Sequence, residues 1–226
     1  MIVAVHQPQY LPWLGYFDKI DRADIFVLLD NVQFKKNEWQ NRNRIKTAQG
    51  SQWLTVPVRY KFSQLINQVE INNRDKWQHR QRQAIISNYK KAPYWSLLEE
   101  FFEEIFLSKW QYISQLNIYV MKKLTELLGI TTPIYVASEL GEFPEDPDDR
   151  LIAMAKHFDA DTYLAGGGGR EYMNMEKYAE SGIEVIFQEY RHPVYNQLFG
   201  DFKPFMSAVD LIYNHGRASL GILRGE

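Results

Sequence analysis

The sequence predicts an α/β protein: a Rossmann-like parallel sheet with flanking helices and a helical insertion in the middle of the chain. Near both ends of the sequence, short apolar runs that suit strands buried on both faces alternate with stretches of helical period. The middle of the chain shows helical patterns instead. We find no internal repeat and no Gly/Ser linker, so we expect a single α/β domain over residues 1–226, with the insertion at approximately 74–129.

The first half of the predicted sheet begins with a βαβ unit. Ile2–Val5 and Ala23–Asp30 are apolar runs rich in β-branched residues, and Trp13–Arg22 between them has the length of a short crossover helix. A third strand is expected at Trp53–Val58. The weaker strand pattern at Gln68–Ile71 is expected to pair nearby.

Three helices are predicted for the insertion, at Asp75–Lys91, Tyr94–Leu107 and Trp110–Leu128. The third is amphipathic, and Gly129 after it is typical of a helix C-terminus. Such an insertion can serve as a lid over a substrate or simply enlarge the core, and both alternatives stay open.

The alternation of strands and helices resumes after the insertion. The predicted strands are Ile134–Ala137, Thr162–Ala165 and Glu184–Gln188, and the predicted helices are Asp148–Phe158 and Lys203–Asn214. Asp148 is expected to cap the first of these helices.

Composition excludes several classes of function. The chain has no cysteine, which rules out disulfides, thiolate catalysis and cysteine-based metal sites. Its net charge of −2 argues against broad electrostatic binding of nucleic acid, and its histidines show no metal-ligand spacing. The N-terminus lacks the features of a secretory signal, and no window has the roughly 20 apolar residues of a membrane helix. We therefore expect a cytoplasmic protein without a membrane span.

Polar or glycine-rich residues follow three of the predicted strands. In open parallel sheets, ligands bind beyond the carboxyl ends of the strands, near the point where the strand order reverses. The residues at this edge are His6, Gln7, Pro8, Gln9 and Tyr10 after the first strand, Asp30, Asn31 and Gln33 after the second, and Gly166, Gly167, Gly168, Gly169 and Arg170 after the strand at Thr162–Ala165. This coincidence predicts a site for a small polar or anionic molecule.

The run Gly166–Gly169 would let backbone N–H groups approach an anion closely. A helix beginning near Arg170 would add the positive end of its dipole, and Arg170 could hold a phosphate or carboxylate with two hydrogen bonds. The alternative is a flexible surface connection. The run has neither the Lys-Ser/Thr pair of a Walker P-loop nor the spacing of a dinucleotide fingerprint.

His6 at a strand end could act as an acid, a base or a phosphate ligand, or it could be hydrogen-bonded into a structural turn. Gly15, further along the same segment, would allow close packing or close approach of a ligand. Two further candidates are Lys19 on the first helix and Asp30 after the second strand. Lys19 could stabilise charge during catalysis, and Asp30 could act in catalysis or bind magnesium.

The segment from Lys35 to Lys46 is basic in an otherwise slightly acidic chain. Asn41, Arg42, Asn43 and Arg44 alternate amides with guanidiniums, which offers many hydrogen-bond donors to an anion or a sugar. Trp39 could stack on a base or a sugar face. Binding of a small anion, solvated surface charge and contact with RNA all remain open for this segment.

The sequence resembles the WbqC-like proteins over nearly its whole length. The resemblance is carried first by the opening motif from His6 to Ile20, which reads HQPQYLPWLGYFDKI. The other matching segments are Asp24–Asp30, Asn41–Ile45, Trp53–Val58, Tyr89 to Tyr94, Tyr163–Gly169 with Tyr172, and Asp210–Gly216. Ala165 stands where a serine is expected, and the chain ends soon after Gly216.

The family resemblance implies a role in bacterial O-antigen and other surface-polysaccharide biosynthesis. The expected activity is that of a transferase or ATP-dependent ligase that joins a small acyl or aminoacyl group to an amino sugar. The partner implied is an anionic small molecule, a nucleotide or sugar nucleotide. Two other functions stay open: a non-catalytic protein that binds a sugar nucleotide or lipid carrier, and an RNA-binding module.

A more distant likeness is to the nucleotidylyltransferase superfamily, which includes pantothenate-synthetase-like ligases. His6–Gly15 and Gly166–Arg170 occupy places comparable to the two phosphate loops of those enzymes. The His-x-Gly-His motif is absent, and Pro12-Trp13-Leu14-Gly15 stands near its place. This likeness implies ATP with magnesium as the cofactor and remains an analogy of fold.

Overall fold

The structure, a computed structural model, describes residues 1–226, the whole chain. The chain divides into two compact units. The first unit consists of Met1–Gln7, Gly15–Asp30 and Thr131–Arg191. The second unit consists of Pro8–Leu14, Asn31–Ile130 and His192–Glu226. The single domain expected from the sequence stays a prediction.

The structure contains nine strands and eight helices. The strands are β1 (Ile2–His6), β2 (Ile25–Leu28), β3 (Arg42–Thr47), β4 (Gly50–Thr55), β5 (Val58–Arg59), β6 (Glu70–Ile71), β7 (Ile134–Val136), β8 (Thr162–Ala165) and β9 (Glu184–Phe187). The helices are α1 (Leu14–Asp21), α2 (Trp77–Tyr89), α3 (Glu99–Leu107), α4 (Ile113–Leu128), α5 (Pro147–His157), α6 (Met175–Glu180), α7 (Ala208–His215) and α8 (Ser219–Arg224). No helix is both long enough and apolar enough to cross a membrane.

The first unit is built on a five-stranded parallel sheet in the order β7-β2-β1-β8-β9. The central strand β1 is buried on both faces, as its apolar β-branched sequence predicts, and Val3 and Ala4 are fully buried. From β1 the chain moves outward to β2 and β7 on one side, and it then returns to β8 and β9 on the other. The strand order therefore reverses between β1 and β8, and the predicted α/β fold class with a parallel sheet is confirmed.

Helix α5 begins with a cap at a different residue from the one predicted. The carboxylate of Asp146 accepts hydrogen bonds from the backbone N–H groups of Asp148 and Asp149, and Pro147 occupies the first helical position. Proline suits this position because its missing N–H would be unpaired there in any case. The prediction that Asp148 caps α5 is wrong: its carboxylate instead accepts hydrogen bonds from the Tyr178 hydroxyl and the Asn174 N–H.

Two antiparallel hairpins belong to the second unit, and they differ in part from the sequence prediction. β3 pairs with β4, and β5 pairs with β6. The prediction of one strand over Trp53–Val58 is wrong, because Pro57, which has no N–H to donate to a ladder, separates β4 from β5. The expected pairing of Gln68–Ile71 with a nearby strand is confirmed by β6.

Along the chain, three helices follow the hairpins and precede β7, namely α2, α3 and α4. The sequence predicts three helices in this region. Gly129 ends α4 in the left-handed conformation, with φ of 81°. The helix predicted at Lys203–Asn214 begins later, at Ala208, because Pro204 and the left-handed Phe205 (φ 60°) are incompatible with a helix there. Ser207 caps the observed start, since its side chain accepts a hydrogen bond from the Val209 N–H.

Candidate functional site

The carboxyl ends of β1 and β8 lie side by side where the strand order reverses. Ala4 is opposite Leu164 in the parallel register, so His6 and Gly166, each two residues further along, are at the same level of the sheet edge. Two of the sequence-predicted site segments are therefore neighbours. This position is the one at which open parallel sheets bind ligands.

Lys19 on α1 is a buried amine beside this edge. The residue is 3% exposed, and its Nζ donates a hydrogen bond of 2.9 Å to the Val5 carbonyl, one residue before His6. The same Nζ lies 5.9 Å from the centre of the Tyr163 ring on β8. No carboxylate forms an ion pair with it. Burial lowers the pKa of Lys19 to about 7, so the amine can gain and lose its charge near neutral pH.

His6 is neutral at physiological pH. Burial, and to a smaller extent the nearby charge of Lys19, lowers the pKa of His6 to about 3. The imidazole lies 4.7 Å from the Tyr16 ring, centre to centre, and the Tyr16 hydroxyl donates a hydrogen bond of 2.9 Å to the Gln7 carbonyl. Positive charge at this edge therefore comes from Lys19, whereas His6 offers a neutral hydrogen-bonding ring.

Three of the four glycines begin a 3-10 helix over Gly167–Glu171, and Gly166 precedes it in an extended conformation. The expectation of a helix beginning near Arg170 is wrong: the next helix, α6, begins only at Met175, where Asn174 caps it. Consecutive glycines disfavour a regular helix because each loses more backbone entropy there than any other residue. The predicted helix dipole is therefore not available at Arg170.

The four glycines differ in what surrounds them, and none of them has a positive φ. A β-carbon on Gly166 or Gly168 would meet no atom within 4 Å. One on Gly167 would lie 3.2 Å from the Gln188 carbonyl oxygen, and one on Gly169 would lie 2.8 Å from the sulfur of Met173. Gly166 and Gly168 thus leave backbone open to a ligand, whereas Gly167 and Gly169 allow close packing.

Arg170 and Tyr172 extend from this turn toward solvent. The Arg170 guanidinium lies 4.5 Å from the centre of the Phe187 ring and 3.3 Å from the Glu189 carboxylate. Tyr172 is 77% exposed. The Arg170 side chain is itself 60% exposed, so it is accessible to an anion, which would compete with Glu189 for it.

Three residues that the sequence analysis did not single out complete the surroundings of this edge. Gln188 follows β9, and its amide donates hydrogen bonds to the Gly15 carbonyl (2.7 Å) and to the Asp18 carboxylate (2.6 Å). Tyr16 packs on His6, and Tyr163 lies near the Lys19 amine. Gln188 could have been found, because it ends a predicted strand at the edge where ligands bind. The two tyrosines belong to apolar stretches and carry no separate signal.

Asp30 is engaged in a structural contact within the first unit. Its two carboxylate oxygens accept hydrogen bonds from the backbone N–H (3.0 Å) and the hydroxyl (2.7 Å) of Ser138, in the turn after β7. No three histidine, aspartate or glutamate side chains are grouped so that they could hold a metal ion. The catalytic or magnesium-binding role of Asp30 stays a prediction.

Several other predicted residues belong to the second unit and make structural hydrogen bonds there. The Tyr10 hydroxyl donates to the Gln81 side-chain oxygen at 2.6 Å. The side-chain amides of Asn41 and Asn43 donate to the carbonyls of Val56 and Leu11. These three residues are fully or almost fully buried, and so is Pro8, so they hold loops in place.

Arg42 and Arg44 differ from the neighbouring asparagines, Asn41 and Asn43. Their guanidiniums lie 4.4 Å and 5.3 Å from the centre of the Trp53 ring. Neither forms an ion pair with a carboxylate. Binding of an anion by Arg42 and Arg44 stays a prediction.

Comparison with known proteins identifies the family. The sequence matches the WbqC-like protein family over residues 7–222. It is also 34% identical to an uncharacterized protein of Mycobacterium tuberculosis over 226 residues, which cover 98% of this chain and 97% of that protein. No solved structure matches the chain. The chain belongs to the WbqC-like protein family.

Proposed function

We propose that the edge formed by the carboxyl ends of β1 and β8 binds the phosphate groups of a nucleotide. Lys19 is the observation that carries this proposal. A buried amine without a carboxylate partner costs free energy in the folded protein, and a bound anion would offset that cost. The open backbone at Gly166 and Gly168, after the neighbouring strand β8, supplies N–H groups of the kind that bind phosphate.

The activity we propose is the joining of a small acyl or aminoacyl group to an amino sugar, with ATP as the activating substrate. The WbqC-like family is associated with polysaccharide-biosynthesis loci, which supports a sugar acceptor. A carboxylate oxygen of the acyl donor would attack the α-phosphorus of ATP, and pyrophosphate would leave. The amine of the sugar would then attack the acyl carbon, AMP would leave with the bonding electrons, and the nitrogen would release a proton to water.

Each residue of the edge has a distinct part in this proposal. Lys19 stabilises the charge that develops on the phosphate oxygens, which is electrostatic stabilisation of the transition state. Neutral His6 hydrogen-bonds to a phosphate or to the reacting carboxylate, and Arg170 can hold an outer phosphate. Magnesium is bound in such sites largely by substrate phosphates and water, so it would enter with ATP.

The test is calorimetric titration with ATP and magnesium at pH 7. We expect Lys19→Met to weaken binding about tenfold or more, because it removes the buried cation and keeps the length of the side chain. Gly168→Ala should also weaken binding without changing stability, since its β-carbon meets no neighbour but would stand where the ligand approaches. Affinity of the native protein should fall as pH rises above about 7, because Lys19 loses its proton there.

Lys156→Met is the matched control. Lys156 is exposed in the last turn of α5, and a crossover helix ends at the edge of a parallel sheet opposite to the carboxyl ends of the strands. Equal affinity of the Lys19→Met and Lys156→Met variants for ATP would contradict the proposal. If the protein binds acyl-CoA or a nucleotide sugar and not ATP, the proposed position of the binding site stands, but the proposal that ATP is the activating substrate is wrong.

A further inference from the structure

The second unit contains a cleft that the sequence analysis did not predict. It has a volume of about 200 Å³ and lies between β4, which is unpaired along its outer edge, and the first two turns of α2. Trp53 on β4 and Trp77, Arg80 and Gln81 on α2 are among the residues that line it. The volume suits a small molecule rather than a nucleotide, because sites for drug-sized ligands occupy roughly 300–1,000 Å³.

Two buried hydrogen-bond donors without a partner in the protein belong to residues that line this cleft. They are the indole N–H of Trp77 and the side-chain NH₂ of Gln81. Trp77 is 1% exposed and Gln81 is 4% exposed. The oxygen of the Gln81 amide already accepts the Tyr10 hydroxyl at 2.6 Å, which fixes the amide so that its NH₂ is the unpaired end. Buried donors without partners are rare in native proteins and call for an acceptor.

The charge around the cleft favours an anionic acceptor. Arg80 is exposed and pairs with one carboxylate, Asp75. Arg42 and Arg44, which lie against the ring of Trp53, have no carboxylate partner. Arg80 lines the cleft, and two guanidiniums without a carboxylate partner lie against Trp53, which also lines it.

We propose that this cleft binds the carboxylate of a small organic acid. The two oxygens of a carboxylate can accept the Trp77 N–H and the Gln81 NH₂, and Arg80 can pair with its charge. A neutral ligand would satisfy the donors but not the guanidiniums. The site is independent of the phosphate site proposed for the first unit.

The Trp77 indole N–H reports on its own hydrogen bond, so nitrogen-15 correlation spectra of the full-length protein test the proposal. The chain has six tryptophans, and the Trp77→Phe variant assigns the Trp77 signal. We expect titration with glucuronate to shift this signal saturably, and titration with glucose, its neutral counterpart, to leave it in place. The Trp110 indole already donates to the Ile105 carbonyl at 3.0 Å, so its signal should stay in place with either compound.

Variants of two neighbouring arginines separate the cleft from general surface charge. Arg80→Ala should weaken glucuronate binding about threefold or more, whereas Arg82→Ala should not change it, because Arg82 is exposed on the same helix but does not line the cleft. Both changes are on the surface and should leave the fold intact. A Trp77 signal that moves with neither compound, that moves equally with both, or that moves equally in the two arginine variants would overturn the proposal.

Discussion

Lys19 illustrates how a single side chain can be costly for stability and still informative about function. Lys19 is 97% buried in the folded protein, and its amine is bonded to one carbonyl and paired with no carboxylate. Replacement of a buried ionisable group by an apolar side chain of similar volume is often neutral or stabilising. Lys19→Met should therefore fold, which makes its loss of anion binding interpretable.

His6 should make stability depend on pH below neutrality. Its pKa is about 3 in the folded protein and 6.5 when it is free, so between these values the unfolded chain binds a proton that the folded protein does not. The contribution to stability is complete above pH 6.5 and is lost progressively as pH falls toward 3. Each pH unit in this window removes up to about 1.4 kcal/mol of unfolding free energy.

Urea unfolding at pH 6.5, 5.5 and 4.5 measures this effect, and His6→Gln is the control because glutamine does not titrate. The stability of the variant should fall by about 2 kcal/mol less than that of the native protein between pH 6.5 and 4.5. Parallel pH profiles for the two proteins would show that the imidazole is protonated as readily in the fold as in the free chain.

The sequence predicted the position of candidate site residues best where a side chain follows a strand. His6 and Gly166–Gly169 were identified because an apolar strand pattern ends directly before them, and the structure places both at the reversal of strand order. The burial of Lys19 was not predictable, because it depends on how α1 packs against β1 and β8. The structural bonds of Asn41 and Asn43 were equally hidden, since a buried asparagine and an exposed one look alike in sequence.

Among the elements, those with strong apolar patterns were predicted well. The strand at Thr162–Ala165 was placed at its observed ends, and the three helices of the insertion were placed within a few residues. β3 was missed because its sequence, RNRIKT, lacks the apolar alternation of a strand. Its stability comes from pairing with β4 and from burial of Ile45 and Lys46, which are tertiary effects.

The contribution of the α5 cap to the stability of the protein can be tested by mutation. Asp146→Ala should lower the free energy of unfolding by about 1 kcal/mol, because it removes the acceptor for two backbone N–H groups at the start of the helix. For a protein of this size the melting temperature should fall by about 2–4 °C. Differential scanning calorimetry measures both quantities.

Asp149→Ala is the matched control for the cap. Asp146 and Asp149 each lie 2.9 Å from the Lys177 amine, so both variants lose one ion pair with the same lysine. Only Asp146 accepts the N–H groups. Equal destabilisation by the two substitutions would assign the effect to the ion pairs and not to the cap.

At the scale of the whole molecule, the class of fold was predictable, but the strand order was not. Alternating strand and helix patterns predict a parallel sheet wherever they occur. The order β7-β2-β1-β8-β9 depends on which strand edges pair after the insertion, and short apolar runs do not encode that choice individually. The two hairpins were only partly predicted, because their strands are short and half-exposed.

The distribution of charge over the molecule argues against the RNA-binding alternative. The net charge is −2, and the basic segment from Lys35 to Lys46 offers fewer phosphate ligands than its sequence suggests. Lys46 is 1% exposed, and its amine donates to the carbonyls of Gly200 and Asp201. We therefore expect no binding of a single-stranded RNA at about 10 µM protein and physiological salt, measured by fluorescence anisotropy. Binding that weakens steeply between 50 and 200 mM salt, with a slope that requires about four or more phosphate contacts, would revive the RNA-binding alternative.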